Sequence, residues 1–186
     1  IKGDDYLVFK GIDGSLDILN RIGKTRVKTA VNYSFSDNEI ALLDQQFSFT
    51  DLQGNLFQIN TKGKESKKPL KVNAAHRTSM NFNQLVVLED NVLYSKGKKV
   101  VLDFGIYTPP TTIKINQQIY ISITDTQNKK VYLFDNELKM LGGFPVYGSG
   151  EIDLVESSEN GALKFVTKDK ENSLVVYRVK ESKITN

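Results

Sequence analysis

A short strand-and-turn element recurs about every 40 residues along the chain, and this recurrence constrains the fold more than any other feature of the sequence. The segment 13–24 aligns with 53–64, and further copies lie at 90–98, 128–139 and 171–177. The first strand position of each copy is occupied by Leu16, Leu56, Val92, Val131 and Leu174, so successive copies lie 40, 36, 39 and 43 residues apart. Such a period predicts a tandem of similar structural units.

The segments between the turns have the composition of β-strands. Val, Ile, Leu, Phe and Tyr predominate in Tyr6–Phe9, Leu85–Leu88, Ile119–Ile123 and Leu174–Tyr177. No long stretch has apolar residues at the i, i+3, i+4, i+7 spacing of an amphipathic helix, and no convincing capping box leads into one. The sequence therefore predicts an all-β fold.

The recurring Asn-x-x-Gly-Lys sequence has the chemistry of a hairpin turn. Four residues join two antiparallel strands around a type I turn, and the following glycine takes a left-handed conformation without a clash at Cβ. We expect this turn at Asn20–Lys24 and again at Asn60–Lys64, 40 residues later. In the fourth copy Leu138 stands where the glycine is expected.

Each repeat contains one strand before this hairpin and one after its turn, which gives four antiparallel strands, A to D in chain order. The predicted A strands are Val31–Phe35, Val72–Ala75, Thr112–Ile115 and Ile152–Val155. The predicted organisation is a partial unit at 1–29, complete units at 30–70, 71–110 and 111–149, and a partial unit at 150–186.

Four-stranded repeats of this length are the blades of a β-propeller, and we predict about 4.5 of them in one all-β domain. The alternative is a large antiparallel sandwich. Closed propellers have four to eight blades, and the two partial units cannot simply complete each other. We therefore expect the chain to belong to a longer propeller, or to form an open arc that a partner covers.

The pattern resembles the broad WD40-like and quinoprotein-like (PQQ-like) propeller families. The resemblance covers nearly the whole chain and lies in the period and the strand pattern. The chain has no tryptophan, so it lacks both the Trp-Asp dipeptide and the tryptophan that docks neighbouring quinoprotein blades. This departure argues against a bound quinone, and we expect no cofactor.

The composition excludes several classes of function. There is no cysteine, and His76 is the only histidine, so neither a thiolate nor a multi-histidine metal site is possible. The net charge of +3 is far below that of a dedicated nucleic-acid binder. No apolar run approaches the length of a transmembrane helix, and the compartment stays open, with periplasm or cell surface among the options.

No catalytic constellation is recognisable. Gly148–Gly150 lacks the spacing of a nucleophile elbow, and His76 is expected beside an inner strand, facing solvent or the central channel. Carboxylates such as Glu89, Asp90, Glu151 and Asp153 provide the group needed for glycoside hydrolysis, but sequence spacing does not show whether any two face each other. We therefore predict a protein that is not an enzyme, with a carbohydrate-binding or glycoside-active propeller as the alternative.

Two aromatic loops between blades are the best candidate binding elements. They cover 104–110 and 144–150, where proline and glycine restrict the backbone. Tyrosine provides a large contact area at low entropic cost. We expect Phe104 and Phe144 to pack between blades. The predicted ligand or partner contacts are Tyr107, Pro109, Pro110 and Tyr147.

A second candidate surface is basic. In the predicted blades all C–D turns point to one face, and these turns and their flanks contain ten basic residues against three acidic ones. The core of this basic face is Arg21, Lys24, Lys62, Lys64, Lys98 and Lys139. Such a surface could steer an acidic partner, or the lysines could simply keep the exposed sheet ends soluble. The sequence thus predicts an interaction scaffold that binds a protein partner through one loop face.

Overall fold

A computed structural model describes residues 1, 5–29, 31–156, 163–169 and 173–179 of the chain, without the side chains of residues 155 and 156. The chain divides into two compact units, Ile1–Leu85 and Val86–Asn186. All regular secondary structure of the described residues is β-strand, which confirms the predicted all-β class. No helix in the described part is long and apolar enough to cross a membrane.

The first unit contains two antiparallel sheets, in which each strand pairs with the next along the chain. The three-stranded sheet has the order β1-β2-β3, and the four-stranded sheet has the order β4-β5-β6-β7. The strands of this unit are β1 (Tyr6–Lys10), β2 (Leu16–Asn20), β3 (Thr25–Lys28), β4 (Ala41–Leu43), β5 (Gln46–Thr50), β6 (Asn55–Ile59), β7 (Glu65–Pro69) and β8 (Arg77–Ser79).

The second unit follows the same pattern. A central strand β10 pairs antiparallel with its two chain neighbours, β9 and β11. A four-stranded sheet with the order β12-β13-β14-β15 and a three-stranded sheet with the order β16-β17-β18 follow. The strands are β9 (Val86–Glu89), β10 (Val92–Ser95), β11 (Lys98–Val101), β12 (Thr111–Ile115), β13 (Gln118–Asp125), β14 (Lys130–Asp135), β15 (Val146–Tyr147), β16 (Asp153–Glu156), β17 (Leu163–Lys168) and β18 (Leu174–Val179).

Two of the four predicted A strands are confirmed, as β12 and β16, and two are displaced. In place of Val31–Phe35 the strand is β4, because Phe35 makes only an isolated bridge with Asp51 before the chain leaves the sheet. In place of Val72–Ala75 the strand is β8, because Asn73 closes a turn there. Its side-chain oxygen accepts a hydrogen bond from the Ala75 amide at 2.9 Å.

The predicted turn recurs with the same hydrogen bonds at its two copies in the first unit. The side-chain oxygen of Asn20 accepts a hydrogen bond from the amide of Lys24 at 2.8 Å, and that of Asn60 from the amide of Lys64 at 3.0 Å. Gly23 and Gly63 have φ angles of +78° and +80°. The two turns therefore have the same hydrogen bond and the same glycine conformation, as the repeat predicts.

In the fourth copy Asp135 replaces the asparagine, and Leu138 takes the glycine position. The Asp135 carboxylate accepts hydrogen bonds from the amides of Glu137 and Lys139, both at 2.9 Å. Leu138 has a φ of +60°, and its side chain is buried in the core of this unit. Burial of the leucine side chain compensates for a conformation that glycine adopts without cost.

Replacing Leu138 by glycine is expected to destabilise the protein by roughly 1–3 kcal/mol. The change relieves about 1–2 kcal/mol of left-handed strain but removes a buried side chain worth about 2–5 kcal/mol. Urea unfolding followed by circular dichroism measures the difference. The matched control is Lys71→Gly, at an exposed residue that also has a φ of +60°, where relief of strain dominates. A Leu138→Gly variant as stable as the wild type would show that the relief of strain fully offsets the lost burial.

Candidate functional site

One row of paired residues crosses the four-stranded sheet β12–β15, next to the turn that joins its second and third strands, β13 and β14. Tyr107 bridges to Asp125, Asp125 pairs with Lys130, and Lys130 pairs with Tyr147. Adjacent strands lie about 4.8 Å apart, so the backbones of the two tyrosines are about 14 Å apart. The fold therefore brings two loops that are 40 residues apart in sequence to one end of one sheet.

Asp125 anchors this end of the sheet from inside. Its carboxylate is buried and accepts hydrogen bonds from the amides of Gln127 and Asn128, both at 3.0 Å. The Asn128 side chain donates to the other carboxylate oxygen at 2.6 Å. A Cβ built on Gly105 would lie 2.2 Å from this carboxylate, so the loop backbone passes directly over it. Buried carboxylates need such donors, and these bonds close the turn 126–129, while the backbone at Gly105 packs against the carboxylate.

The backbone of the same loop is fastened to the turn at two further points. The amide of Thr126 donates to the carbonyl oxygen of Ile106 at 2.7 Å, and its hydroxyl donates to the same oxygen at 2.9 Å. The Asn128 side chain donates to the carbonyl oxygen of Phe104 at 3.1 Å. These bonds fix the backbone at Phe104 and Ile106.

The four predicted contact residues differ in how much surface they present. Tyr107 is half-buried against the core, and its hydroxyl donates to the Asp103 carbonyl oxygen at 2.6 Å. Pro110 is buried, whereas Pro109 is exposed. Tyr147 is 38% exposed, and its hydroxyl donates to the Asp169 carboxylate at 2.7 Å.

Sequence reasoning missed the most exposed apolar residues of this loop. Phe104 was expected to pack between blades, but it is 89% exposed, and Ile106 is 64% exposed. Phe144, for which the same packing was predicted, is buried with its ring centroid 5.4 Å from that of Phe165. The signal that was missed is the Asp125–Asn128 turn. The Asn128 side chain binds the backbone carbonyl oxygen of Phe104, and the Phe104 side chain stays exposed to solvent.

Asp103 and Lys130, the charged pair beside the site, are both ionised at neutral pH. Lys130 Nζ lies 2.9 Å from the Asp103 carboxylate, and this hydrogen bond lowers the pKa of Asp103 and raises that of Lys130. Burial raises the pKa of Tyr107 and of Tyr132, whose rings are 6.3 Å apart. Both phenols are therefore protonated near pH 7.

The predicted basic face has different surroundings in the two units. In the second unit Lys98 Nζ lies 2.8 Å from the Glu137 carboxylate, which also pairs with Lys96 at 3.3 Å, while Lys139 is exposed. These partners lower the pKa of Glu137. In the first unit Arg21, Lys24, Lys62 and Lys64 are exposed and form no ion pair within the described part of the chain.

The described residues provide no metal-binding group of three or more His, Cys, Asp or Glu side chains. The expectation that His76 faces solvent or a channel is wrong, because only 1% of its surface is exposed. Its Nδ1 lies 2.7 Å from the carbonyl oxygen of Asn73, and its own carbonyl oxygen accepts a hydrogen bond from the Asn38 side chain at 3.1 Å. His76 is thus part of the packing that precedes β8.

No family model matches the sequence, and no curated protein is significantly similar to it. Solved structures with a similar fold do exist. BamB from Moraxella catarrhalis superposes with a TM-score of 0.54 at 14% identity, covering 93% of this chain and 55% of BamB. BBS1N, solved in complex with ARL6DN, superposes with a TM-score of 0.59 at 16% identity, covering 95% of this chain and 62% of BBS1N.

A third similar structure is virginiamycin B lyase from Staphylococcus aureus, with a TM-score of 0.56 at 11% identity over 94% of this chain and 69% of the lyase. All three neighbours are β-propellers. This chain has the fold of β-propeller blades. The resemblance predicted from the repeat is therefore confirmed at the level of the fold, and the chain spans less than two thirds of the length of BamB and of BBS1N.

Proposed function

We propose that these propeller blades act as an interaction scaffold that binds a protein partner through the loop surface, which we define as Phe104, Ile106, Pro109 and Tyr147. The observation that carries the proposal is the 89% exposure of Phe104 on a backbone held by the buried Asp125 turn. An exposed aromatic side chain on a fixed backbone binds at a lower entropic cost, because its backbone is not ordered anew on binding. Tyr107 and Pro110 support the surface from below.

The arrangement of these residues favours a binding role over incidental exposure. Single exposed apolar side chains are common on protein surfaces, and Ile12 and Ile22 in the first unit, 110% and 77% exposed, are of this kind. Phe104 and Ile106 instead stand two positions apart on one fastened loop. They present neighbouring apolar groups above a rim that includes the ion pair of Asp103 and Lys130, which is the pattern of an apolar interface centre with a polar border.

The solved neighbours support the choice of a protein as partner. BBS1N was solved in complex with ARL6DN, so a propeller of related fold binds another protein. No feature of the described residues gives comparable support to the alternative function, a carbohydrate-binding or glycoside-active propeller. The glycan array below tests the carbohydrate-binding alternative.

Replacing Phe104 and Ile106 together by serine is expected to weaken partner capture at least about tenfold, since truncating a hot-spot residue at the centre of an interface costs about 2 kcal/mol or more. The measurement is an affinity purification from the source cells, with partners quantified by mass spectrometry and the affinity of the recovered partner then measured directly. The matched control is Ile12→Ser with Ile22→Ser, which removes two exposed apolar side chains elsewhere.

Retention of every partner by the Phe104→Ser/Ile106→Ser variant would contradict the proposed surface. Equal loss in both double variants would indicate general stickiness rather than a site. A glycan array probed with the wild-type chain separates the alternative, because specific glycan binding that survives both substitutions would favour a carbohydrate-binding propeller.

A further inference from the structure

A groove in the first unit lies between the edge strand β3 and the turn of the neighbouring sheet. Its volume is ≈ 350 Å³, and its lining includes Arg26, Lys28, Tyr33, Lys62, Gly63 and Glu65. This volume is within the range of small-ligand sites, about 300–1,000 Å³. Three side chains of the lining are cationic and one is anionic, so the groove has an excess of two positive charges.

A β-bulge explains how one strand contributes consecutive residues to the groove. Val27 pairs with Ile18 and Thr25 pairs with Leu19, so Arg26 is the additional residue of β3. Bulges interrupt the alternation of a strand and redirect a side chain. The consecutive residues Arg26 and Val27 can therefore both line the groove, whereas a regular strand would direct them to opposite faces. Lys28 belongs to the lining as well.

The opposite wall comes from the repeated turn. A Cβ added at Gly63 would lie 3.4 Å from Val27 Cγ1, so this turn and β3 are neighbours. Lys62 and Gly63 of the turn line the same groove as Arg26 of β3.

The cations of the groove have no ion-pair partners within the described residues, whereas the lysines of the corresponding turn in the second unit share Glu137. The one acid of the groove, Glu65, already accepts a hydrogen bond from the Tyr33 hydroxyl. The groove thus contains an excess of donors over acceptors. Arginine and lysine together, around a cavity of this size, are the donors that proteins use for phosphate groups.

We propose that this groove binds a dianionic phosphate group, with Arg26, Lys28 and Lys62 as its donors. The volume exceeds that of a phosphate, so the group can carry an organic substituent that lies against Val27 and Val31. The proposal is independent of the loop surface, which belongs to the other unit. The source of the phosphate, free or esterified, is decided by the probes below.

The test measures the affinity of the whole chain for inorganic phosphate and for an O-phosphoserine peptide at about 150 mM salt, by amide chemical shifts of Val27 and Gly63. Binding with shifts at these amides supports the proposal, and tighter binding of the peptide identifies a phosphate ester as the ligand. Because the second pKa of a phosphate ester is about 6, affinity for the peptide is expected to fall as the pH drops below that value. The absence of shifts with both probes would overturn the proposal.

Matched variants separate a site from diffuse surface charge. Arg26→Ala with Lys62→Ala is expected to weaken binding at least about tenfold, because two charge-assisted hydrogen bonds are lost. Arg21→Ala with Lys24→Ala removes the same charges from an adjacent turn outside the groove, and we expect less than about a twofold change because exposed charges at a distance are screened. Equal effects of the two double variants would overturn the proposal.

A substitution with the opposite effect completes the test. Glu65→Gln keeps an acceptor for the Tyr33 hydroxyl and removes the only negative charge of the lining. The phosphate affinity is then expected to rise about threefold, as the removal of one nearby like charge implies. An unchanged or lower affinity would contradict an anion bound beside Glu65.

Discussion

Replacing Phe49 by alanine is expected to lower the free energy of unfolding by about 3–5 kcal/mol, the usual cost of truncating a buried phenylalanine. Phe49 is fully buried and stacks on Phe57 at a centroid distance of 5.3 Å. It also makes edge contacts with Tyr33 at 4.9 Å and with Phe35 at 5.0 Å. These four rings lie in the core of the first unit, so the cavity left by the substitution cannot be filled by a single side-chain movement.

Urea unfolding followed by far-ultraviolet circular dichroism measures this loss. The matched control is Phe104→Ala, which removes the same atoms from a side chain that is 89% exposed and is expected to change stability by less than about 0.5 kcal/mol. A loss below about 1 kcal/mol for Phe49→Ala would contradict the packing of this core. The control variant also separates the two roles of phenylalanine, since it should retain stability while binding the proposed partner more weakly.

The second large effect is expected for Gly54→Ala, with a loss of about 2–5 kcal/mol. Gly54 has a φ of +71°, and an added Cβ would lie 2.3 Å from the Val72 carbonyl oxygen, which belongs to the backbone. The left-handed conformation alone costs a non-glycine residue about 1–2 kcal/mol. The clash adds about 1–3 kcal/mol, because neither backbone segment can move freely in a packed structure.

Gly23→Ala isolates the conformational part of this effect. Gly23 has a φ of +78°, and nothing lies within 4 Å of an added Cβ, so the expected loss is only the left-handed contribution of about 1–2 kcal/mol. Both variants belong to the first unit and are compared by the same unfolding experiment. Equal losses for the two would show that the Val72 backbone yields to the added methyl group.

The repeated turns show how far local chemistry can be predicted. Asn20 and Asn60 form the same side-chain to backbone hydrogen bonds because the Asn-x-x-Gly-Lys turn is closed by atoms within five consecutive residues. The two displaced A strands show where such reasoning ends. The composition of Val31–Phe35 and of Val72–Ala75 is that of strands, but whether a strand forms depends on a pairing partner that is distant in sequence. In the segment Val72–Ala75, a turn closed by Asn73 forms in place of the predicted strand.

At the candidate site, too, some features could be predicted from the sequence and others could not. Aromatic and proline residues in the loop 103–110 could be identified from the sequence, and Tyr107 and Tyr147 do lie in one row of one sheet. Which of these side chains faces outward could not be predicted. That choice depends on Asp125 and Asn128, which are distant from the loop in sequence. The Asp125 carboxylate accepts hydrogen bonds from Asn128, and the Asn128 side chain donates to the carbonyl oxygen of Phe104.

The sequence by itself determined the all-β class, the repeat of about 40 residues and the turns at Asn20–Lys24 and Asn60–Lys64, because apolar alternation and glycine conformation act over a few neighbouring residues. Only the tertiary structure decided that Phe104 is exposed while Phe144 is buried, and that Arg26 and Lys62 face one groove. Burial depends on which segments meet, and a bulge or a buried carboxylate can reverse the orientation of a side chain without any change in its local sequence.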